Sequence, residues 1–355
     1  MYYCSDYTLA VVLCVVTMLC WGSWGNTQKL AGKTWRFELF YWDYVIGLVL
    51  FGLAMGLTLG SCGENAKWGF VANLRESFGT VWLWPLAAGI VFNLSNILLS
   101  AAIAVAGMSV AFPVGVGLAL VGGTVFNYLQ DKKGALALIA AGLALIVVSI
   151  VCNAMAFKAK QSAGGQASDA SATKKGLLLA AVAGLLMMWF SPLVNKVVDM
   201  SFMPTVKDVL GEAVVVPGAV APKAGMMTPY TAFFIFTIGI FLSNFVWNTI
   251  AMRKPVSGDP VPVSAYFRGG FPIHLVGALG GCIWGLGTLL SFVAAGAAGK
   301  AISYALGQGA TLVSALWGIF IWKEFAGAPK KAGVLNFAMI VLFLAGIAFL
   351  VKAGQ

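Results

Sequence analysis

The sequence predicts an all-helical integral membrane protein, with ten transmembrane helices arranged as two inverted repeats of five. Three observations predict it. Of 355 residues, 60% are hydrophobic and 10% charged, and the mean hydropathy is +0.92; soluble domains carry roughly 25% charged residues. Ten apolar runs reach the roughly 20 residues that a span needs: 7–28, 39–59, 81–103, 108–129, 134–156, 176–198, 229–252, 272–296, 300–322 and 330–351. Motifs in the first five runs also recur, in order, in the last five.

The first run has no Lys or Arg before it and no small-residue cleavage site, so it reads as a retained helix rather than a signal peptide. It ends in Trp21-Gly-Ser-Trp-Gly-Asn-Thr-Gln-Lys29. Lipid does not tolerate loose polar groups, so Ser23, Asn26 and the indoles of Trp21 and Trp24 must face protein, a cavity or the membrane surface. A weaker copy, Trp189-Phe-Ser-Pro-Leu-Val-Asn-Lys196, ends the sixth run with Trp189 and Ser191 at matching spacing. An aromatic belt with a snorkelling Lys would explain both ends without function.

Further echoes follow. Ile46-Gly47 pairs with Ile238-Gly239, and Leu98-Leu99-Ser100 with Leu289-Leu290-Ser291. Phe-Asn-Tyr-Leu-Gln-Asp131 pairs with Phe-Ile-Trp-Lys-Glu324. Between the halves, 158–175 is rich in Gly, Ser, Ala, Gln and Lys and reads as a flexible linker joining repeats 1–157 and 176–355. An odd number of spans per repeat inverts the second copy, a plan that holds substrate near mid-membrane. With the N-terminus outside, inner segments hold thirteen Lys and Arg (Lys33 among them) and outer segments, including 199–228, nine. The positive-inside rule then places both termini outside.

The formal charge of +10 is spread over short loops and forms no basic stripe, so no nucleic-acid partner is expected. The six cysteines share no CxxC spacing, and no disulfide framework, metal site or cofactor is expected. No nucleophile–base–acid set or phosphate loop is present, which argues against an enzyme and leaves an ion gradient to drive any active transport.

Polar residues inside the runs are the candidates for function. Asp43, near the start of the second run, is a candidate proton-coupling group, or alternatively a helix cap or a partner of Lys29 or Arg36. Asn93 and Asn96 share a face of the third helix and would serve as interhelical glue or as a hydrogen-bonding wall. Trp284, in the matching stretch of the eighth helix, would stack on a planar or sugar-like ligand. Tyr304 and Gln308 share a face in the ninth. His274, the single histidine, is read as an interface residue ahead of a proton relay.

These residues resemble a known family. The chain is similar to the ureide permeases of plants and their bacterial relatives, in the drug/metabolite transporter (DMT, EamA-like) superfamily, with glucose/ribose-type sugar porters and rhamnose–proton symporters as neighbours. Gly22-Ser23-Trp24 resembles the family's Gly-Thr-Trp, Tyr41-Trp42-Asp43-Tyr44 its Tyr-Leu-Asp-Tyr, and Leu94-Ser95-Asn96 its Leu-Gly-Asn. Phe190-Ser191-Pro192, the Tyr-Thr-Ala-Phe-Phe run starting at Tyr230, and Gln308 through Trp317-Gly318 to Glu324 follow its spacing. Two departures stand out: no Asn occurs in the glycine stretch around Trp284, and Thr311 replaces a Pro. The resemblance implies ten helices, inverted repeats and uptake of small neutral polar metabolites, often with protons.

The expectation is therefore a secondary transporter of a small neutral solute (a sugar such as ribose, a ureide or a nucleobase) in a bacterial cytoplasmic membrane, its partners being the solute and the lipid bilayer, with protons as the candidate coupling ion. An exporter of drugs or amino acids is the alternative within transport, and a membrane receptor or structural subunit the alternative outside it. The expected binding residues are Trp21, Ser23, Trp24, Asn26, Asn93, Asn96, Trp189, Ser191, Trp284, Tyr304 and Gln308.

Overall fold

The computed structural model describes residues 4–31, 35–62, 69–106, 108–163, 170–199, 206–207, 213–214, 225–256 and 258–355. The helices are α1 (Tyr7–Ser23), α2 (Gly25–Leu30), α3 (Phe37–Leu57), α4 (Phe70–Glu76), α5 (Leu83–Ala106), α6 (Met108–Asp131), α7 (Leu136–Ala163), α8 (Ala170–Met187), α9 (Phe190–Asn195), α10 (Pro229–Arg253), α11 (Phe271–Ala298), α12 (Lys300–Gly307), α13 (Ala310–Leu316) and α14 (Lys330–Ala353). Among the described residues, nine helical segments are long and apolar enough to cross a membrane, and each coincides with an expected run. The remaining run, 108–129, falls within α6.

The linker is more helical than expected. Helix α7 runs on to Ala163 and α8 starts at Ala170, which leaves 164–169 outside the described residues. The Ala, Lys and Gln that bias this stretch towards solvent are also strong helix formers. Lys33 lies outside the described residues too, as does most of 199–228, where Val206–Lys207 pairs antiparallel with Ala213–Val214.

Three spans are broken inside the bundle. The first turns tightly at Trp24, whose carbonyl accepts from the Thr27 backbone N–H and from the Thr27 hydroxyl at 2.6 Å. The Asn26 amide caps the Ser23 carbonyl at 3.0 Å. The sixth breaks between α8 and α9, where Pro192 has no N–H and its ring would collide with the Met188 carbonyl. The ninth divides between α12 and α13 at Gln308–Gly309, then widens into a π turn at Trp317–Ile321.

Helices pack across the two halves: α1 on α11, α12 and α13, and α8 on α5 and α6; α3 on α11, and α10 on α5; α3 on α10, and α7 on α14. Two of these contacts share one register. A methyl group on Gly281 would strike the Tyr44 carbonyl and Leu48 amide of α3, and one on Gly47 the backbone of Ala278 in α11. Likewise a methyl on Gly89 would strike the Phe236 carbonyl and Ile240 amide of α10, and one on Gly239 the backbone of Leu86 in α5. Backbone touches backbone at both places, which only glycine permits. The expected pairing of Gly47 with Gly239 matches this register. That of Leu98 with Leu289 is one residue out, because the packing aligns Gly89 with Gly281 and so Phe92 with Trp284.

These contacts predict matched sensitivities. Gly281→Val and Gly89→Val should each destabilise the protein by about 1–3 kcal/mol through overpacking, while Gly333→Ala, which meets open space, should not. Thermal unfolding in detergent checks this; tolerance of valine at one site and not at the other would break the equivalence.

Candidate functional site

A cavity of about 900 Å³ opens at the end of the bundle where α1, α5, α7, α10 and α13 finish and α3 and α14 begin. Of the expected binding residues, it brings together Trp21, Trp24, Asn26 and Asn96. Ser100, Ser149, Asn153, Thr311, Ser314 and Trp317 add to its polar wall.

Asn96 is buried at the wall, and its Nδ2 donates to Tyr41 Oη at 3.1 Å. Tyr41 is held by stacking on Tyr44, with ring centroids 5.3 Å apart. This bond fixes the amide plane, and among the described residues none donates to Asn96 Oδ1. Trp24 leans on Tyr44 at 4.9 Å. Trp21 stacks on Trp284 at 6.2 Å, and its Nε1 donates to Thr288 Oγ1 at 2.9 Å. Trp284 in turn lies 4.6 Å from Phe92. Trp284 is thus the layer behind Trp21 and not part of the wall, contrary to the expectation that it would stack on a ligand, because the glycines of α11 around it pack closely on α3.

The remaining expected residues do not line the cavity. Ser23 Oγ accepts from Trp317 Nε1 at 2.9 Å, so it positions an indole that does. Asn93 is the glue of the alternative reading: its Nδ2 donates to the Ile240 carbonyl at 3.2 Å and to Ser243 Oγ at 3.0 Å, fastening α5 to α10. Trp189 lies 4.2 Å from Phe126 and is 36% exposed, on the outer surface of the bundle. The break forced by Pro192 turns its neighbour Phe190 inwards instead, against Trp21, Phe92 and Tyr304. Ser191 is buried against Asn127. Tyr304 donates to the Ala119 carbonyl at 3.1 Å, and Gln308 is buried one turn further on.

Four charged side chains stand on the wall and all are paired. Lys29 meets Glu324 at 2.5 Å and Arg36 meets Glu38 at 2.6 Å. The wall is therefore neutral in sum, and neither basic residue is the partner of Asp43.

Asp43 lies outside the cavity, buried between α3 and α11 where Gly277 admits its side chain. At the seventh position of α3 it is too deep to cap the helix. Its carboxylate accepts from Tyr266 Oη and from Trp35 Nε1 at 3.3 Å, and it faces His274 Nδ1 at 2.8 Å. Burial, then the adjacent carboxylate, pushes the Tyr266 hydroxyl above its ordinary range, so it stays a donor. His274 is thus no simple interface residue. It and Asn153 are the two side chains that sequence reasoning underrated. Asn153, an amide one turn beyond Ser149 in an apolar run, carried a signal of its own.

The ureide permease family model matches residues 167–353. Ureide permease 2 and ureide permease 1 of Arabidopsis thaliana are each 23% identical, over 97% of this chain and 97% of their own. Ureide permease 4 of the same plant is 22% identical over 100% of this chain and 99% of its own. The fold is similar to that of a solved crystal structure at a TM-score of 0.57, with 16% identity and 96% of each chain covered. A cavity with amides and hydroxyls set in a mostly apolar lining, inside a bundle of apolar helices, together with a family match across more than half of the chain, leads to one conclusion: the chain belongs to the ureide permease family and is a membrane transporter.

Proposed function

We propose that the cavity binds a ureide, a small neutral solute with alternating N–H and carbonyl groups, and that the chain carries it by secondary active transport. The observation that carries this reading is the wall itself. Its charges cancel, and its amides and hydroxyls both donate and accept, which suits a neutral solute of mixed polarity. The indoles of Trp21, Trp24 and Trp317 offer faces for a planar group. The names of the relatives, ureide permeases, point the same way.

The architecture belongs to this proposal. Ten spans in two inverted repeats, 1–157 and 176–355 joined through 158–175, are supported by the matched glycine contacts and broken helices. Membership of the wider drug/metabolite transporter superfamily goes with that plan. The cavity mouth lies on the face that the Lys and Arg bias assigns to the inside, with both termini outside, in a bacterial cytoplasmic membrane. Asp43, buried with His274 and Tyr266, is the proposed proton-coupling group.

Uptake of a radiolabelled ureide into proteoliposomes, with ribose, a nucleobase and a hydrophobic drug as competitors, tests the substrate class. Saturable ureide uptake that a competitor of another class outbids would reassign it. Asn96→Ala should raise the apparent Kd by about one to two orders of magnitude, from the roughly 1–3 kcal/mol cost of an unpaired buried polar group. Tyr41→Phe, which removes only the hydroxyl that orients the amide, should cost less. A lower melting temperature with unchanged affinity would make Asn96 structural.

Asp43→Asn should abolish accumulation driven by a proton gradient while substrate exchange continues, since the amide cannot take up a proton. His274→Gln should shift the pH profile of accumulation without abolishing exchange. Full gradient-driven accumulation by Asp43→Asn would remove the carboxylate from the coupling path.

A further inference from the structure

The cavity shows one half of a transport path, and the residues that shut the other half are set out in the same pattern. At the open end, α2 touches the end of the ninth span: Trp322 Nε1 donates to Asn26 Oδ1 at 2.6 Å, and Lys29 meets Glu324. At the opposite end, α9 touches the end of α6. Asn195 Nδ2 donates to Asn127 Oδ1 at 2.9 Å, Asn127 Nδ2 to Ser191 Oγ at 3.2 Å, and Gln130 Nε2 to the Pro192 carbonyl at 2.7 Å. Both short helices follow a break in the first or sixth span. Their partners are the two span ends, at Glu324 and Asp131, that the sequence pairs with each other.

The two contacts differ in exposure. Lys29 and Glu324 are part-exposed at the cavity mouth, at 42% and 27%, whereas Asn127, Ser191 and Asn195 are buried. Lys300 closes over the second contact. Its ammonium donates to Gln130 Oε1 at 3.1 Å and to the Asn195 carbonyl at 2.8 Å, and its backbone N–H to Asp131 Oδ2 at 2.8 Å. Two buried oxygens here, Asn195 Oδ1 and Thr124 Oγ1, have no hydrogen-bond partner among the described residues. Buried polar atoms left unpaired are costly in a membrane bundle and ask for a partner in another state.

We infer that α9 and the end of α6 form the outer gate and that Thr124, Asn127, Ser191 and Asn195 line the outward-facing half of the substrate path. The inference rests on the transporter reading and its inverted repeats. When the gate opens, these groups face the solute. The ligand class is the same at both ends, a neutral solute that donates and accepts hydrogen bonds. Lys300 holds the gate shut through charge-assisted bonds.

The test uses the full-length protein with its six native cysteines replaced, in sealed vesicles, and a membrane-impermeant maleimide. Asn26→Cys and Asn127→Cys should react from opposite sides of the membrane, whichever way the protein is inserted. Asn127→Cys should react slowly at rest and about tenfold faster when Lys300→Gln is added, the shift expected from losing a hydrogen bond to a charged group. Reaction of both from the same side, or no reaction of Asn127→Cys even with Lys300→Gln and during turnover, would overturn the gate. Should Asn127→Cys fail to fold, Ser191→Cys decides by the same criteria. Ureide uptake is measured on the same variants. Labelling as expected without uptake would condemn the substrate assignment and uphold the gate; uptake without labelling would do the reverse.

Discussion

Backbone-to-backbone contact at two glycine pairs is the constraint on which the bundle depends. Lipid is as apolar as leucine, so burial of apolar surface does not by itself drive these helices together. What holds them is close approach and the internal satisfaction of polar groups. Gly47 with Gly281, and Gly89 with Gly239, bring α3 to α11 and α5 to α10. Once those pairs are fixed, Phe92 and Trp284 meet near the centre of the bundle, and the stack from Trp284 to Trp21 sets the cavity floor.

Polar residues divide the work by depth and neighbour. Asn93 and Ser95 donate to adjacent helices, Asn93 to α10 and Ser95 to the Ala183 carbonyl of α8, and Asn93 Oδ1 is buried with no partner among the described residues. Asn96, one residue on, keeps an acceptor turned from those bonds because Tyr41 takes its amide protons. The same separation applies to charge. The ion pairs stand on the cavity wall, Lys29–Glu324 part-exposed and Arg36–Glu38 more enclosed, and the buried carboxylate of Asp43 is set apart among Trp35, Tyr266 and His274. A bound neutral solute therefore meets no net charge.

Much of this was legible in the chain. Span positions follow from apolar length alone, and the broken helices fall at the Trp21 and Trp189 stretches, where glycine, proline and polar residues interrupt an apolar run. Register was harder. A helix turns about 100° per residue, so a one-residue error exchanges core for outer surface, which is how Trp189 stood in for Phe190. Gly47 and Gly239 stood out because each makes a backbone contact that leaves no room for a side chain. His274 was underrated because its partner lies 231 residues away, and no local pattern records such a meeting.

The size of the cavity has a mechanical consequence. A volume of about 900 Å³ holds about 30 waters at roughly 30 Å³ each, far more than a small ureide displaces. In the proposed alternation most of that water leaves when the mouth closes and returns when it opens. The closing step therefore does work against the activity of water, which the reopening step returns. Osmolytes excluded from the cavity favour its collapsed forms, so the rate of alternation in a cell becomes sensitive to osmotic stress through a volume that belongs to no single side chain.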